Sequence, residues 1–479
     1  MYGELGLFIN GEWQAARSGK TYPVINPATE EPLGEAPSAG AADTEAAIAA
    51  AAAGLETWRK TQPWERARII RKIGDLMRER ADELARWMTL EVGKPLAQAK
   101  GEVQLAADQF EWFAEETKRI YGQTVESRTS TSRLMVTYQP VGVVAAFAAW
   151  NFPVALISRK VAPALAAGCS VICRPSQETP GSVMALVKCC HDAGVPAGVV
   201  GLLTGKASDI TPTLMASPVV RKISLTGSTA VGKQMVKAAA DTLKRVTMEL
   251  GGHAPVIVFD DADAAAVAEL SAQVKFRNAG QVCVSPNRFF IHESRLDAFT
   301  ERFVAVSRAF KIGDGLADGI DIGPLATRKR LDEIEKLVAD TKAEGADLVC
   351  GGKRPPGLNR GYFYEPTVFS KVSDQGRLMT EEPFGPVVPI TSFRDFDEVV
   401  GRANALSLGL ASYVFTRSLK RAHEAAEAIE AGMVGVNTFA LASAETPFGG
   451  IKESGYGREG GSIGIKDYLD VKYTNFTLT

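Results

Sequence analysis

Long apolar runs are missing from this chain, and so is an excess of charge of either sign. The longest apolar runs, such as VGVVAAFAAW (141–150), are too short to cross a bilayer. A net charge of −2 gives no bulk attraction to nucleic acid or to an anionic membrane, so a charged partner must be recognised locally. The opening stretch MYGELGLFINGEW has neither a basic segment leading into an apolar one nor a cleavage-like site. No signal peptide is expected, and the cytoplasm is the expected location. Cysteine is scarce: six in 479 residues (169, 173, 189, 190, 283 and 350) cannot form a disulfide scaffold, and a cytosolic chain keeps them reduced. The four histidines (191, 253, 292 and 423) include no HxxxH pair and the cysteines no paired CxxC arrangement, so no metal site is expected.

What is present is apolar material for sizeable cores, 46% of the chain, in a length that suggests about three domains at roughly 150 residues each. Residues 43–119 are rich in Ala, Glu, Arg and Leu. In IIRKIGDLMRERADELARWM the apolar positions recur every three or four residues, which predicts long amphipathic helices. From about residue 138 short β-rich runs alternate with helical segments (VGVVAAF, 154–167, SVICRP, 181–192, GVVGLLTG, KISLTGS), a rhythm of βαβ units and a mainly parallel sheet. A second α/β stretch runs from RVTMELGG and APVIVFD to VGVNTFA at 434–440. The Thr- and Ser-rich segment 123–137 and the alternating tail DYLDVKYTNFTLT read as strands that leave the main body. Projecting strands usually pair with another subunit, because an open edge invites aggregation.

Four short stretches could carry chemistry. KISLTGSTAVGK is a strand, a turn from Gly227 to Gly232 and a helix start, a place where free N–H groups suit a phosphate; Thr229 stands where the dinucleotide fingerprint has its middle glycine, so a plain turn is the rival reading. RPSQETP sets Arg174 at a strand's carboxyl end, placed for a ribose or phosphate, or else in a turn shaped by two prolines. MELGG places Glu249 before two glycines, as a general base with room beside it or as a solvated carboxylate. KFRNAGQVCVSPNRF holds Cys283, which is either a small buried hydrophobe or a nucleophile that needs a base or a depressed pKa.

Taken in order, VVAAFAAWNFPVALISRKVAPALAAGCSVICRPSQETP, LTGSTAVG, MELGG, FRNAGQVC, EEPFGPV and PFGGIKESGYGRE resemble the aldehyde dehydrogenase superfamily over essentially the whole chain. Within it they are most similar to the succinate semialdehyde and α-ketoglutaric semialdehyde branch. The resemblance implies an α/β fold: a Rossmann-like parallel-sheet cofactor domain (1–122 and 138–248), a second α/β catalytic domain (249–443) and a small β oligomerisation arm (123–137 and 444–479). It implies that Cys283 attacks an aldehyde to give a thiohemiacetal, that hydride passes to NAD or NADP, and that water hydrolyses the resulting thioester. By the same similarity Asn151 and the Cys283 N–H form an oxyanion hole, Glu249 is the general base, and Lys160, nine residues after Asn151, serves proton relay or cofactor contact. CoA-acylating members generally lack the base that Glu249 matches.

For the cofactor the resemblance implies contacts from Trp150, Gly227, Ser228, Leu250, Glu382 and Phe384, with Arg174 and Gln177 at the adenosine ribose. NAD-selective members usually have Glu where Gln177 stands; the neutral side chain beside Arg174 removes a repulsion, so NADP is expected to be tolerated. Arg159 and Arg277 match arginines that hold the distal carboxylate in succinate semialdehyde dehydrogenases, a task suited to bidentate guanidinium recognition. Ser443 stands where many of those enzymes have the second of two serines, and Ala442 replaces the first, which leaves succinate semialdehyde, α-ketoglutaric semialdehyde and a broader aldehyde range open. Redox-switched members carry a second cysteine where this chain has Ser285. The expected assembly is a homodimer or homotetramer, with no nucleic-acid or membrane partner.

Overall fold

A computed structural model describes residues 3–477 of the chain. Met1, Tyr2, Leu478 and Thr479, the outermost residues of the expected cofactor domain and arm, lie outside the described residues. The helical texture of the first quarter resolves into Ala41–Trp58, Pro63–Glu79, Ala81–Val92 and Leu96–Glu116. Pro63–Glu79 shows why: proline opens it, where no intrahelical N–H is lost, Arg78 sits in its last turn, and Ala67, Ile70, Ile73 and Met77 share its buried face.

Two sheets follow. In the first, five parallel strands stand in the order Val200–Leu202, Ser170–Arg174, Val143–Phe147, Val220–Thr226 and Arg245–Glu249, with antiparallel strands added at both edges. Chain order reverses between Val143–Phe147 and Val220–Thr226, so the loops leaving their carboxyl ends diverge and open a crevice, the usual ligand position in such a sheet. The second sheet has seven strands, six of them parallel, running through Thr367–Ser370, Val387–Phe393, Pro286–His292, Ala254–Val258, Ala411–Phe415 and Met433–Val436. This sheet faces the crevice with the opposite ends of its strands: the loops that enter Ala254–Val258, Pro286–His292 and Val387–Phe393 are the ones carrying Gly251, Cys283 and Glu382.

Ser132–Pro140 lies between Gln123–Val125 and Leu469–Thr477 in a separate antiparallel sheet of three strands. Its surface leaves Val471, Tyr473 and Phe476 exposed. Residues 444–468 do not join that sheet. Instead Gly455–Tyr456 pairs with Met248 and Glu249 at the edge of the first sheet, which brings the PFGGIKESGYGRE segment to the crevice. No helix among the described residues is long and apolar enough to cross a membrane.

Candidate active site

A cleft of about 480 Å³ lies where the two sheets meet, lined among others by Trp150, Asn151, Gly227, Ser228, Glu249, Leu250, Cys283, Glu382 and Phe384. Nine of the residues singled out in the sequence thus line one cavity although they come from five separate stretches of chain.

The loop before Cys283 is held in an unfavourable shape. Asn278, Ala279 and Gly280 have φ of 50°, 52° and 74°, the left-handed region that ordinary residues avoid. A Cβ on Gly280 would lie 2.2 Å from the Gly385 carbonyl oxygen, so glycine is needed both for the angle and for the approach of the Glu382 loop. Side-chain amides hold the loop in place: Gln281 Nε2 donates to Asn278 O at 3.0 Å, and Gln281 Oε1 accepts from Ala326 N–H at 2.9 Å. Asn151 Nδ2 donates to Gln281 O at 3.0 Å, which sets the Asn151 amide beside the nucleophile loop; its Oδ1 has no partner. Cys283 is half-buried by area, whereas the other five cysteines are buried. Protein surrounds its sulfur closely enough that desolvation, reinforced by the Glu382 and Glu249 carboxylates against the opposing Arg159, pushes the thiol up to about 12. The resting sulfur is therefore a thiol and needs a base.

Glu249 ends the strand Arg245–Glu249, buried, and neither of its carboxylate oxygens has a hydrogen-bond partner among the described residues. Burial first, and then the charge of Glu459, hold its carboxyl well above the ordinary range, while Lys160, Arg159 and Arg458 oppose. Such an unsatisfied buried carboxyl, open to the cleft, is poised to take a proton. Lys160 lies behind the cleft wall rather than in it. Its Nζ donates to Thr226 Oγ1 and to Glu459 Oε1, each at 2.6 Å, in a buried ion pair. Glu459 was not singled out in the sequence, although it closes the motif PFGGIKESGYGRE; a search for the counter-charge of an apolar-helix lysine would have pointed to it.

The other half of the cleft offers a surface for a dinucleotide. Ser228 caps the helix Thr229–Ala240 by accepting from Val231 N–H at 3.4 Å, so the first turn of that helix opens beside Gly227. Trp150 and Phe384, both lining the cleft, pack edge to face with 5.5 Å between centroids. Glu382 has one buried oxygen without a partner, and burial raises its carboxyl to about 8. A Cβ on Gly251 would lie 2.6 Å from Glu382 Oε2, so that glycine is what admits the carboxylate. Arg330, missed in the sequence, lines the same wall and clamps the turn: Nη2 donates to Pro383 O at 2.7 Å and Phe384 O at 3.0 Å. Arg174 turns onto Gly205 O at 2.9 Å, and Ser176 and Glu178, not Gln177, line the cleft beside it. An orphaned carboxylate oxygen, an open helix turn and two aromatic faces fit a nicotinamide dinucleotide.

The guanidinium groups of Arg159 and Arg277 make no hydrogen bond or ion pair among the described residues. Arg159 is buried with its guanidinium 4.1 Å from the Phe448 ring, close enough to Cys283 and Glu249 to bias both. Arg277 is exposed and lies 5.5 Å from the Phe152 ring. Ser443 bonds Thr446 Oγ1 at 2.9 Å within its own loop. That loop reaches the nucleophile indirectly: Phe439 packs on Tyr413, whose hydroxyl donates to Val284 O at 2.6 Å.

A thiol, a partnerless carboxyl and an amide donor converging on a dinucleotide-shaped cleft define an aldehyde-oxidising centre. The chain belongs to the aldehyde dehydrogenase family, whose model matches residues 13–474. It is 47% identical to a succinate-semialdehyde dehydrogenase [NADP(+)] of Escherichia coli, over 97% of this chain and 96% of that one. A glutarate-semialdehyde dehydrogenase of Pseudomonas putida is 46% identical over the same shares. The crystal structure of an E. coli NADP-dependent enzyme superposes with a TM-score of 0.97 at 46% identity, covering 99% of this chain and 98% of that one.

Proposed function

We propose that the enzyme oxidises a carboxylated aliphatic semialdehyde, succinate semialdehyde foremost, to the dicarboxylate, with NAD or NADP as oxidant. The observation that carries this reading is the pair of arginines, Arg159 and Arg277, left without carboxylate partners close to Cys283. Arg159 is buried, and a buried guanidinium with no counter-ion is costly unless a ligand supplies one. Relatives named for four- and five-carbon semialdehydes of this kind support it.

Glu249 takes the Cys283 proton as the sulfur bonds the aldehyde carbon, and the carbonyl electron pair moves to oxygen. Asn151 Nδ2 and the Cys283 N–H stabilise that oxyanion. Trp150, Gly227, Ser228, Leu250, Glu382 and Phe384 would hold the cofactor, which would supply the hydride acceptor for the same carbon. The thioester left on Cys283 is then attacked by water. Glu249, after releasing the first proton to solvent, removes the water proton; the C–S bond breaks, the acid departs and the Cys283 sulfur takes a proton back. The positive charge of Lys160 offsets that of Glu459 and eases the ionisation of Glu249.

Five-carbon substrates, α-ketoglutaric semialdehyde among them, form the second reading, favoured by Ser443 being turned to Thr446 rather than fixing a chain length. A broad aldehyde range is the third. The three-stranded arm joins subunits into a homodimer or homotetramer, and the six free thiols suit the cytoplasm. A panel of semialdehydes of three to six carbons with both cofactors tests the proposal. Arg159→Ala and Arg277→Ala are each expected to raise KM for succinate semialdehyde about tenfold or more, the worth of a charge-assisted hydrogen bond. An equal rise for a neutral aldehyde overturns the carboxylate reading.

A further inference from the structure

Behind the Asn151 loop lies an ion pair that the reaction itself does not use. Lys94 and Glu102 have fully buried side chains and meet at 2.5 Å. Two buried charges are tolerated only where further bonds satisfy them, and here those bonds converge on one short stretch, 151–155. Lys94 Nζ donates to Asn151 O at 2.7 Å and lies 3.9 Å from the centroid of the Phe152 ring. Glu102 Oε1 accepts the N–H groups of Val154 and Ala155 at 3.0 and 3.1 Å. These belong to the first turn of Pro153–Ala167, whose N-cap residue, Phe152, supplies no side-chain cap. Asn278 Nδ2 donates to the same Asn151 oxygen at 3.1 Å, so that carbonyl ties the ion pair to the nucleophile loop. Neither Lys94 nor Glu102 lines the cleft.

We propose that Lys94 and Glu102 are positioning residues: the pair fixes the backbone of 151–155 so that the Asn151 amide meets the oxygen of the aldehyde attacked by Cys283. This rests on the reading of Asn151 as an oxyanion donor. The helix that starts here also carries Arg159 and Lys160, so one ion pair sets the origin from which three site residues are measured.

Single-turnover hydride transfer, cofactor dissociation and thermal midpoint are to be measured for Asn151→Ala, Lys94→Met, Glu102→Gln and the double variant Lys94→Met/Asn151→Ala. Loss of one oxyanion donor costs about 10²- to 10³-fold, and Asn151→Ala is expected to show it. Lys94→Met and Glu102→Gln are each expected to slow hydride transfer at least about tenfold while cofactor dissociation stays within about twofold. The double variant is expected to be no slower than Asn151→Ala alone, because both act on one donor. Additive losses, or parallel loss of cofactor affinity and turnover, overturn the proposal in favour of a merely structural pair. A harmless Asn151→Ala overturns the reading of Asn151, and the proposal with it. An impaired Asn151→Ala beside a harmless Lys94→Met overturns the positioning role alone. Should Lys94→Met fail to fold, Lys94→Arg decides beside Glu102→Gln: near-normal hydride transfer in the first with slow transfer in the second supports the proposal, and normal transfer in both overturns it.

Discussion

Glu249 is a carboxyl that the fold leaves without a partner, and two consequences follow at the scale of the residue. Its raised pKa means the folded state binds a proton more tightly than the unfolded chain, so its contribution to stability is fully present at low pH and is lost as pH rises through the raised value. Glu249→Gln is therefore expected to raise the thermal midpoint at neutral pH while cutting steady-state turnover by about 10² or more, the usual worth of a general base. In the wild type, turnover is expected to fall as pH drops through the Glu249 pKa, because the base is then protonated; an acid limb unchanged in Glu249→Gln would contradict the assignment. Cys283 and Glu249 were legible in the sequence because each sits in a stretch whose neighbours repeat a family pattern. Glu459 was not, because its role is spatial: it meets Lys160 from 299 positions away.

At the scale of elements, helices and parallel strands could be read from periodicity, since apolar spacing follows directly from which face is buried. What periodicity does not carry is the closeness of one loop to another. Gly251 and Gly280 are where that closeness is set, and nothing in MELGG or NAGQVC says that a second loop, EEPFGPV, will pass within van der Waals contact of both. Gly251→Ala is expected to displace Glu382 and to weaken cofactor binding about tenfold or more, the loss of one hydrogen bond to a charged group, with the aldehyde KM little changed. Titration of cofactor fluorescence measures it; unchanged affinity would remove Glu382 from the cofactor site. The clamp from Arg330 escaped notice for the same reason, as its helix lies 53 residues before the carbonyl it holds.

For the whole molecule, the strand Leu469–Thr477 pairs along its full length with Ser132–Pro140, so removing it leaves nine residues of that strand's edge open. A chain truncated after Tyr468 is expected to aggregate and, if the arm is the proposed subunit contact, to lose its assembly, read by light scattering against the full chain; an unchanged particle mass would overturn that role of the arm. The two strands were visible in the sequence, one as a Thr- and Ser-rich segment and the other as an alternating tail, but their pairing was not, because contact across 335 residues leaves no local trace. The distribution of sulfur across the fold carries a different consequence. Five thiols are buried and one is half-exposed, with a serine two residues beyond it. To a peroxide the molecule is thus a target with a single entrance and no built-in resolving thiol: a sulfenic acid on Cys283 meets Ser285 where a cysteine could have captured it as a disulfide. Its defence is the protonated resting sulfur. Mass spectrometry after peroxide exposure is expected to find oxygen added at Cys283 and no disulfide to it, and a captured disulfide would refute this. Turnover adds a second defence, because the sulfur is then bonded to carbon.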